Sequence, residues 1–417
     1  MKIEKVFGRE LFNGSGMPAL SCEIVLEDGT FVSATVPSDP LMEQEGFFVA
    51  KDGGTRCSGN GLQKAAQSIE SLIAPILVEK MPEVFICDAL LSELDGTAAR
   101  ETIGANVTLA VSMAVCKAQA AVQEMELFEL IAQLQDSASV SLPFPLITLA
   151  SGGVRLHNGL PFQSIVLVPV GAENFRRAVE HALTVFHIYK EILENDGKTV
   201  FVSEAGGLSA SYKDVFEPFD YIVKALKIAD LESSFVLGID AAADQWYDVS
   251  TSTYRLGREH KKTEYIIDIY KKLYDTYPLY SLENGLSWQD LAGGKKLFDT
   301  FGTTLQIASN DGFSHSATLL QGLDAQPVIN ASVIRLAGAS SVTELLESIQ
   351  FCQNHGLNTI VACGSGETEE TFLADLAIGT SAGQIQAGGG FRSEFIAKYN
   401  RLLFIEDLLA GELLNLA

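Results

Sequence analysis

Basic residues are scarce in this chain of 417 residues, which has 29 Lys and Arg against 53 Asp and Glu and a formal net charge of −24. An acidic surface repels phosphate groups, so the composition argues against a nucleic-acid partner and against an anionic membrane surface. Cysteine is also scarce, with six residues and no Cys-x-x-Cys spacing. This pattern argues against a disulfide or zinc framework and predicts reduced thiols.

Long apolar runs are missing as well. No stretch approaches the roughly 20 consecutive apolar residues that a membrane-spanning helix needs. No apolar segment follows the opening Met-Lys-Ile-Glu-Lys, so we expect no signal peptide. With 47% hydrophobic residues, a chain of this length can bury large cores and form two domains or one large one. We therefore expect a globular cytoplasmic protein.

The first 60 residues alternate apolar and polar positions between turn signals. Two such runs, 19–26 and 30–36, flank Glu-Asp-Gly at 27–29, a connection that is typical of a β-hairpin. Helical periodicity follows, with one apolar face over residues 62–73 and a second amphipathic or buried helix over 107–125.

Two prolines in Ser-Leu-Pro-Phe-Pro-Leu at 141–146 indicate a boundary. Beyond it, short apolar runs alternate with helical stretches. The predicted strands are 164–170, 199–203, 235–240, 279–283, 304–308, 331–336 and 358–363, and the predicted helices include 174–193, 262–277 and 342–354. Such alternation over about 270 residues favours parallel strands and most simply a (β/α)8 barrel. A doubly wound open sheet is the alternative, although no Gly-x-Gly-x-x-Gly or Gly-Lys-Ser/Thr phosphate motif supports it.

In a barrel of this kind, functional residues lie at the carboxyl ends of the strands. Polar residues stand at or just beyond the ends of several predicted strands: Glu204, Asp240, Glu283, Asn310, Asp311, Arg335 and Cys363. Each alone is typical of a residue that starts a loop. Several acidic strand ends that converge on one face indicate a site for a hard cation.

A series of short motifs runs through the chain. The C-terminal part contains Ser-Gly-Glu-Thr-Glu-Glu at 365–370, Ala-Gly-Gln-Ile at 382–385, Arg-Ser-Glu at 392–394 and Ala-Lys-Tyr-Asn at 397–400; earlier motifs are Leu-Glu-Asp-Gly-Thr-Phe at 26–31, Leu-Asp-Gly-Thr at 94–97, Gly-Ala-Asn at 104–106 and Ser-Leu-Glu-Asn-Gly-Leu at 281–286. In this order the series resembles the enolases, the glycolytic 2-phosphoglycerate dehydratases, over nearly the whole chain. The resemblance implies an α/β fold with an enolase-like N-terminal α+β domain, residues 1–138, followed by a (β/α)8-type barrel, residues 139–417.

The resemblance also implies a set of catalytic positions, and this chain departs from the family at most of them. The enolase base is a Lys at the end of a barrel strand, and Arg335 stands in its place. A guanidinium group, with a pKa above about 12, almost never accepts a proton at neutral pH. The two carboxylates on the acid side of the family's site are replaced by Ser164 and Ala205, and the adjacent Glu204 is expected to point elsewhere.

The departures continue at the positions that the resemblance assigns to substrate binding. The family's His-Arg pair before Ser-Gly-Glu-Thr corresponds to Cys363 and Gly364, and its Lys after Gly-Gln-Ile corresponds to Gln386. A loop His of the family corresponds to Arg155. The mobile Ser-Gly-Ala-Ser-Thr-Gly loop is replaced by Ser-Asp-Pro-Leu-Met-Glu at 38–43.

The positions that bind metal in the family are retained better here than its catalytic positions. The family takes one carboxylate from each of three strands, and the matching positions here are Asp240, Glu283 and Asn310. Asn can donate a carbonyl oxygen but no charge, so we expect a weak Mg²⁺ site.

Two functional hypotheses remain open. Loss of one acid or base group costs about 10²–10⁴-fold in rate, and groups that act as a unit fail together, so ordinary 2-phosphoglycerate dehydration is not expected. In the first hypothesis the chain is a pseudoenzyme, a homodimer that binds a protein partner or a small anion, the anion through Arg155, Arg335 and the retained Ser365. In the second it is a magnesium-dependent lyase of altered chemistry that uses the same arginines, Cys363 and Glu204. Cys363, without a neighbouring base, is more typical of an inert thiol.

Overall fold

The computed structural model describes residues 1–137, 139–309 and 328–411. Within these ranges the strands are β1 (Ile3–Phe12), β2 (Pro18–Leu26), β3 (Phe31–Val36), β4 (Phe144–Pro145), β5 (Ile147–Ser151), β6 (Ser164–Pro169), β7 (Phe201–Val202), β8 (Leu208–Ser209), β9 (Phe235–Asp240), β10 (Tyr247–Asp248), β11 (Thr253–Leu256), β12 (Glu259–Lys261), β13 (Leu279–Glu283), β14 (Gln306–Ser309), β15 (Ala331–Arg335), β16 (Asn358–Ala362) and β17 (Gly383–Gln386). The helices are α1 (Leu41–Gln44), α2 (Gln63–Ser68), α3 (Ala74–Leu77), α4 (Val84–Asp95), α5 (Ala105–Val122), α6 (Leu127–Leu134), α7 (Phe175–Asn195), α8 (Glu217–Ile228), α9 (Thr263–Thr276), α10 (Leu291–Phe301), α11 (Val342–Asn354), α12 (Phe372–Gly379) and α13 (Ser393–Leu409). Short 3₁₀ turns lie at Arg56–Gly59, Ala243–Trp246 and Leu336–Gly338, and a π turn at Ile69–Ile73 joins α2 to α3.

A three-stranded antiparallel sheet opens the chain, in the order β1-β2-β3. Cys22 of β2 stands opposite Gly8 of β1 and Ala34 of β3. The predicted hairpin between β2 and β3 is confirmed, and its turn uses Gly29 at a φ of +86°. An Asp28 carboxylate oxygen accepts the backbone N–H of Thr30 at 3.0 Å, which stabilises the turn.

Helix α5 packs against this sheet and is apolar around most of its surface. Among the described residues it is the one helix long and apolar enough to cross a membrane by length and composition. However, 83% of it is buried within the protein, against β2, β3 and α4. A helix that is apolar all round and buried on all sides is a core helix.

Eight strand segments close into a barrel. The pairing runs from β6 through β9, β13, β14, β15 and β16 to β17. Strand β17 then pairs with the first segment, 144–151, because Gln384 stands opposite Phe144 and Gly389 bridges to Thr148. The same segment pairs with β6 on its other side. The predicted barrel is therefore confirmed, and the alternative of an open doubly wound sheet is wrong.

Strand β6 runs antiparallel to both of its neighbours, whereas the other pairs in the ring are parallel. The prediction of parallel strands throughout is thus wrong at this strand. The physical reason is its connection, since residues 152–163 contain no helix. A parallel neighbour requires a long crossover, usually helical, and a short non-helical link returns the chain in the opposite direction.

The barrel interior holds a small apolar cluster of its own: Leu146, Val166, Val168, Ala308, Ala331, Val333, Ile360 and Ala362. Alternate residues of a strand face the same side, so Arg335, two positions beyond Val333, also faces the interior. Below the cluster, at the amino ends of the parallel strands, the Gln306 and Gln384 side-chain amides bond each other at 2.7 and 2.9 Å. The polar residues at the carboxyl ends of the barrel strands therefore lie next to an apolar layer that fills the barrel interior.

The N-terminal part packs against the side and the mouth of the barrel. The Thr108 hydroxyl of α5 donates to the Ser340 carbonyl at 2.8 Å, and the Val342 N–H donates to the Ser112 hydroxyl at 2.8 Å. Arg100 forms an ion pair with Glu344 at 2.9 Å. These bonds fix the N-terminal part beside the turn that directly follows β15. The division into residues 1–138 and 139–417 remains our proposal.

The predicted bounds of the helices and strands agree with the structure at some elements and differ at others. Helix α11 has the predicted bounds, but the predicted strand 199–203 shrinks to β7. The boundary expected at 141–146 falls partly inside the barrel, because β4 lies there and pairs with β17. Proline is tolerated at this position because β4 is only two residues long and lies at the start of the strand segment 144–151.

Candidate functional site

The carboxyl ends of the seven parallel strands and the amino end of β6 form one rim of the barrel. Ser164 stands opposite Asp240, and Asp240 stands opposite Glu283, on three neighbouring strands. Arg335 stands opposite Ala362, which in turn stands opposite Gln386. The structure therefore brings these predicted site residues to the same end of the barrel.

Asp240 and Glu283 are buried acidic side chains, only 3% and 4% exposed. An Asp240 oxygen accepts the backbone N–H of Ala242 at 3.1 Å, and Ala242 has a φ of +46° that turns the chain sharply out of β9. Burial, with the Asp240 carboxylate as a second cause, raises the pKa of the Tyr270 hydroxyl. The two carboxylates thus lie in a region of low water access.

Arg335, at the end of β15, lies near the Glu283 carboxylate at the end of β13. Its Nη2 atom lies 3.7 Å from Glu283 Oε1, and both side chains are largely buried. An attractive ion pair in such a position is screened little by solvent. The guanidinium therefore supplies positive charge next to an acidic pair.

The segment after β16 forms a second wall of the rim. The Ser365 hydroxyl donates to Asp39 Oδ1 at 3.4 Å, so a residue from the N-terminal part reaches the barrel mouth. Cys363 precedes this contact, and its N–H donates to the Gln386 carbonyl at 2.8 Å. Burial, with Glu367 as the second cause, raises the pKa of the Cys363 thiol, which keeps the thiol protonated.

A buried lysine fixes this wall. The Lys398 ammonium donates to the Glu367 carboxylate, the Thr368 carbonyl and the Glu394 carbonyl, each at 2.8 Å. Glu367 in turn accepts the N–H of Gly364 at 3.2 Å. Burial is the largest single effect and lowers the pKa of Lys398, but the charge and hydrogen bond of Glu367 and the other nearby acidic groups together outweigh it, and the pKa lies above its ordinary 10.5. The sequence does not predict this pair, although both residues stand in the quoted motifs.

Comparison with known proteins agrees with this geometry. A family model described as "Enolase, N-terminal domain" matches residues 3–131. A second, described as "Enolase, C-terminal TIM barrel domain", matches residues 139–414. The chain belongs to the enolase family.

Curated relatives cover nearly the full chain. A protein named Enolase from Natranaerobius thermophilus is 33% identical over 416 residues, which are 98% of this chain and 96% of the relative. A protein named Enolase from Methanopyrus kandleri is 34% identical over 419 residues, with the same coverage. The resemblance inferred from the motifs is thus confirmed. Roles at individual positions do not follow from membership of the enolase family alone.

The residues at the enolase catalytic positions have been located, but their roles stay predictions. Ser164 is buried at the rim, and Ala205 is half-buried in the turn between β7 and β8. Glu204 is exposed in the same turn. The Gln386 Oε1 atom is buried and has no hydrogen-bond partner among the described residues.

The three residues predicted to bind an anion have different surroundings. Arg335 contacts Glu283 and Ser365 contacts Asp39, whereas Arg155 is exposed in the loop after β5. An anion would have to compete with a carboxylate for two of them.

The described residues fit a magnesium ion only in part. Mg²⁺ is bound by carboxylate and other oxygen donors, and Asp240 and Glu283 supply two carboxylates. The third predicted ligand, Asn310, lies outside the described residues. Within 1–137, 139–309 and 328–411, no group of three His, Cys, Asp or Glu side chains could hold a metal. Arg335 also offsets the charge of Glu283, so the site has little net negative charge to offer.

We predict that Lys398→Met lowers the free energy of unfolding by about 3–5 kcal/mol, because it leaves the Glu367 charge buried and unpaired. The double variant Glu367→Gln/Lys398→Met should lose much less. Since the pKa of Lys398 is raised by folding, its stabilisation is complete below pH 10.5 and falls as the pH rises through the folded-state pKa. Denaturant unfolding at neutral and alkaline pH measures both effects.

The matched control is Lys295→Met, which removes an exposed ion pair with Asp299 and should change stability by less than about 1 kcal/mol. A Lys398→Met variant as stable as this control would show that the buried pair contributes nothing.

Proposed function

We propose that this enolase-family protein does not dehydrate 2-phosphoglycerate and acts as a pseudoenzyme, a scaffold that binds a partner. The observation that carries the proposal is the position of Arg335, at the end of β15 and 3.7 Å from the Glu283 carboxylate. A guanidinium beside a carboxylate stays protonated, so it cannot remove a proton from a substrate carbon.

The site also lacks a general acid that could donate a proton to the leaving group. Ser164 and Ala205 cannot deliver a proton to a leaving hydroxyl at neutral pH, and Glu204 is exposed to solvent. With neither a base nor an acid, the two halves of the reaction fail together.

A small anion as the scaffold's ligand is supported less well than a protein partner. Arg335 and Ser365 are each in contact with a carboxylate, and Arg155 is exposed. The second hypothesis, a magnesium-dependent lyase of altered chemistry, gains little from Cys363, because burial raises the pKa of its thiol and so suppresses the reactive thiolate.

We place the protein in the cytoplasm. The support is that all six cysteines are unpaired, as is usual for proteins kept in a reducing compartment.

The activity prediction is that the purified protein with Mg²⁺ does not convert 2-phosphoglycerate to phosphoenolpyruvate. The absorbance of the enol product follows the reaction, and an ordinary enolase in the same buffer serves as the control. A lost acid or base group should cost at least about 100-fold. Turnover within 100-fold of the control would refute the proposed function.

We propose that Asp240, Glu283 and Asn310 form a weak Mg²⁺ site, in which the ion would stabilise negative charge on a ligand. Weak binding follows from the small number of carboxylates and from the nearby Arg335. Titration calorimetry should give a dissociation constant near or above about 10⁻⁴–10⁻³ M, as for low-affinity oxygen sites.

The variant Asp240→Ala should abolish this binding, whereas Asp248→Ala, which removes a partly buried carboxylate at the end of β10, should not. Tight binding that survives Asp240→Ala would place the metal at another site.

We propose that the protein is a homodimer that pairs through its N-terminal part. Strand β1 is a ten-residue edge strand of the first sheet, and Phe7, Leu11 and Phe12 on it are exposed at 38%, 36% and 65%. An edge strand that exposes several apolar side chains is usually covered by another surface.

Light scattering at low micromolar concentration should give about twice the single-chain mass of 44.9 kDa. The dimer would carry 2 × −24 = −48 charges, but salt screens charge repulsion beyond about 8–10 Å, so an apolar contact should prevail. Replacement of Phe12 by Glu should shift the protein towards the monomer. A wild-type mass near 44.9 kDa would contradict the proposal.

A further inference from the structure

The segment 37–46 of the N-terminal part lies directly on the segment that follows β16. The Ser38 N–H donates to the Gly366 carbonyl at 3.2 Å. Leu41 and Met42 of α1 are buried, and α1 packs on the Leu336–Gly338 turn after Arg335. Segment 37–46 therefore covers part of the barrel mouth.

The closest contact joins Asp39 to Gly364. A Cβ atom placed on Gly364 would lie 1.5 Å from Asp39 Oδ2 and 2.7 Å from its Cγ. Such distances are far below any real contact, so the carboxylate occupies the space of a side chain at position 364. Gly364 has no positive φ. The need for glycine here is thus one of space and not of backbone conformation.

The Asp39 carboxylate is held in this place by local bonds. Its Oδ1 atom accepts the N–H of Leu41 at 3.0 Å and the Ser365 hydroxyl at 3.4 Å, and its Oδ2 atom is buried. A negative group therefore lies against the backbone of residues 364–365. A second anion at the same place would meet both steric overlap and like-charge repulsion.

We propose that Asp39 and Gly364 form a latch that keeps segment 37–46 closed over the barrel mouth and excludes anionic ligands from it. The inference rests on the proposed function, since it explains why this mouth does not accept a phosphorylated substrate. In this view Asp39 is an internal anion that takes the place of an external one.

Hydrogen exchange with mass spectrometry on the full-length protein tests the latch. In Gly364→Ala, the added Cβ should displace Asp39 and make exchange in 37–46 at least about tenfold faster, with exchange in α5 unchanged. In an Asp39→Ala background the same change should have no further effect, because the Asp39 Cβ lies a tolerable 3.4 Å from the added atom. Millimolar inorganic phosphate should leave exchange of 37–46 unchanged in the wild type.

The matched control is Gly294→Ala in α10, where the nearest atom to an added Cβ is 3.8 Å away, and it should leave 37–46 unaffected. The latch is wrong if Gly364→Ala does not speed exchange in 37–46, or speeds it equally without the Asp39 carboxylate. It is also wrong if phosphate alters exchange of 37–46 in the wild type.

Whether the variants fold is a further test of the latch. If Gly364→Ala fails to fold but Asp39→Ala/Gly364→Ala folds, the steric conflict is demonstrated; if both fail, the latch is refuted. The activity assay is independent of these outcomes. Turnover of 2-phosphoglycerate would remove the proposed function, whereas the exchange experiment alone judges the contact between Asp39 and Gly364.

Discussion

The pairing of β17 with segment 144–151 is the constraint on which the site depends. Gly389 reaches Thr148 across the last gap in the ring, and the barrel closes around its apolar cluster. Once the ring is closed, the carboxyl ends of its parallel strands converge whatever residues they carry. Asp240, Glu283 and Arg335 therefore meet through topology alone. Chemistry at the rim can change while the fold persists, because the two depend on different residues.

Part of the acidic charge at the rim is balanced within the protein. Arg335 offsets Glu283 on one side, and Lys398 offsets Glu367 on the other. A buried charge is costly unless it is paired and hydrogen-bonded. In a chain of net charge −24, these buried cations allow carboxylates to remain at the mouth. Because the partners are fixed side chains, this balance does not need a bound ligand or metal to complete it.

The sequence predicted the parts of the fold that depend on local pattern. The hairpin of β2 and β3 and the bounds of β9, β13 and α11 follow from periodicity and turn residues. The reversed direction of β6 did not follow, because it depends on how the whole ring closes. At the site, Asp39 and Gly364 were each noted as departures from the enolase pattern. Their contact was not predicted, since 325 positions separate them and no local rule connects them. The pair of Lys398 and Glu367 was not predicted either, because burial of a charge depends on tertiary packing.

The contact between Asp39 and Gly364 also makes the two departures inseparable. A larger residue at 364 collides with the Asp39 carboxylate unless that carboxylate is removed or segment 37–46 moves. Removing Asp39 alone would leave Gly364 without a side chain that could contact an anion. Restoring an arginine there would require room that only an open segment provides. Neither change therefore recreates an anion site alone, and this mutual dependence is a stronger argument for an altered mouth than either substitution considered separately.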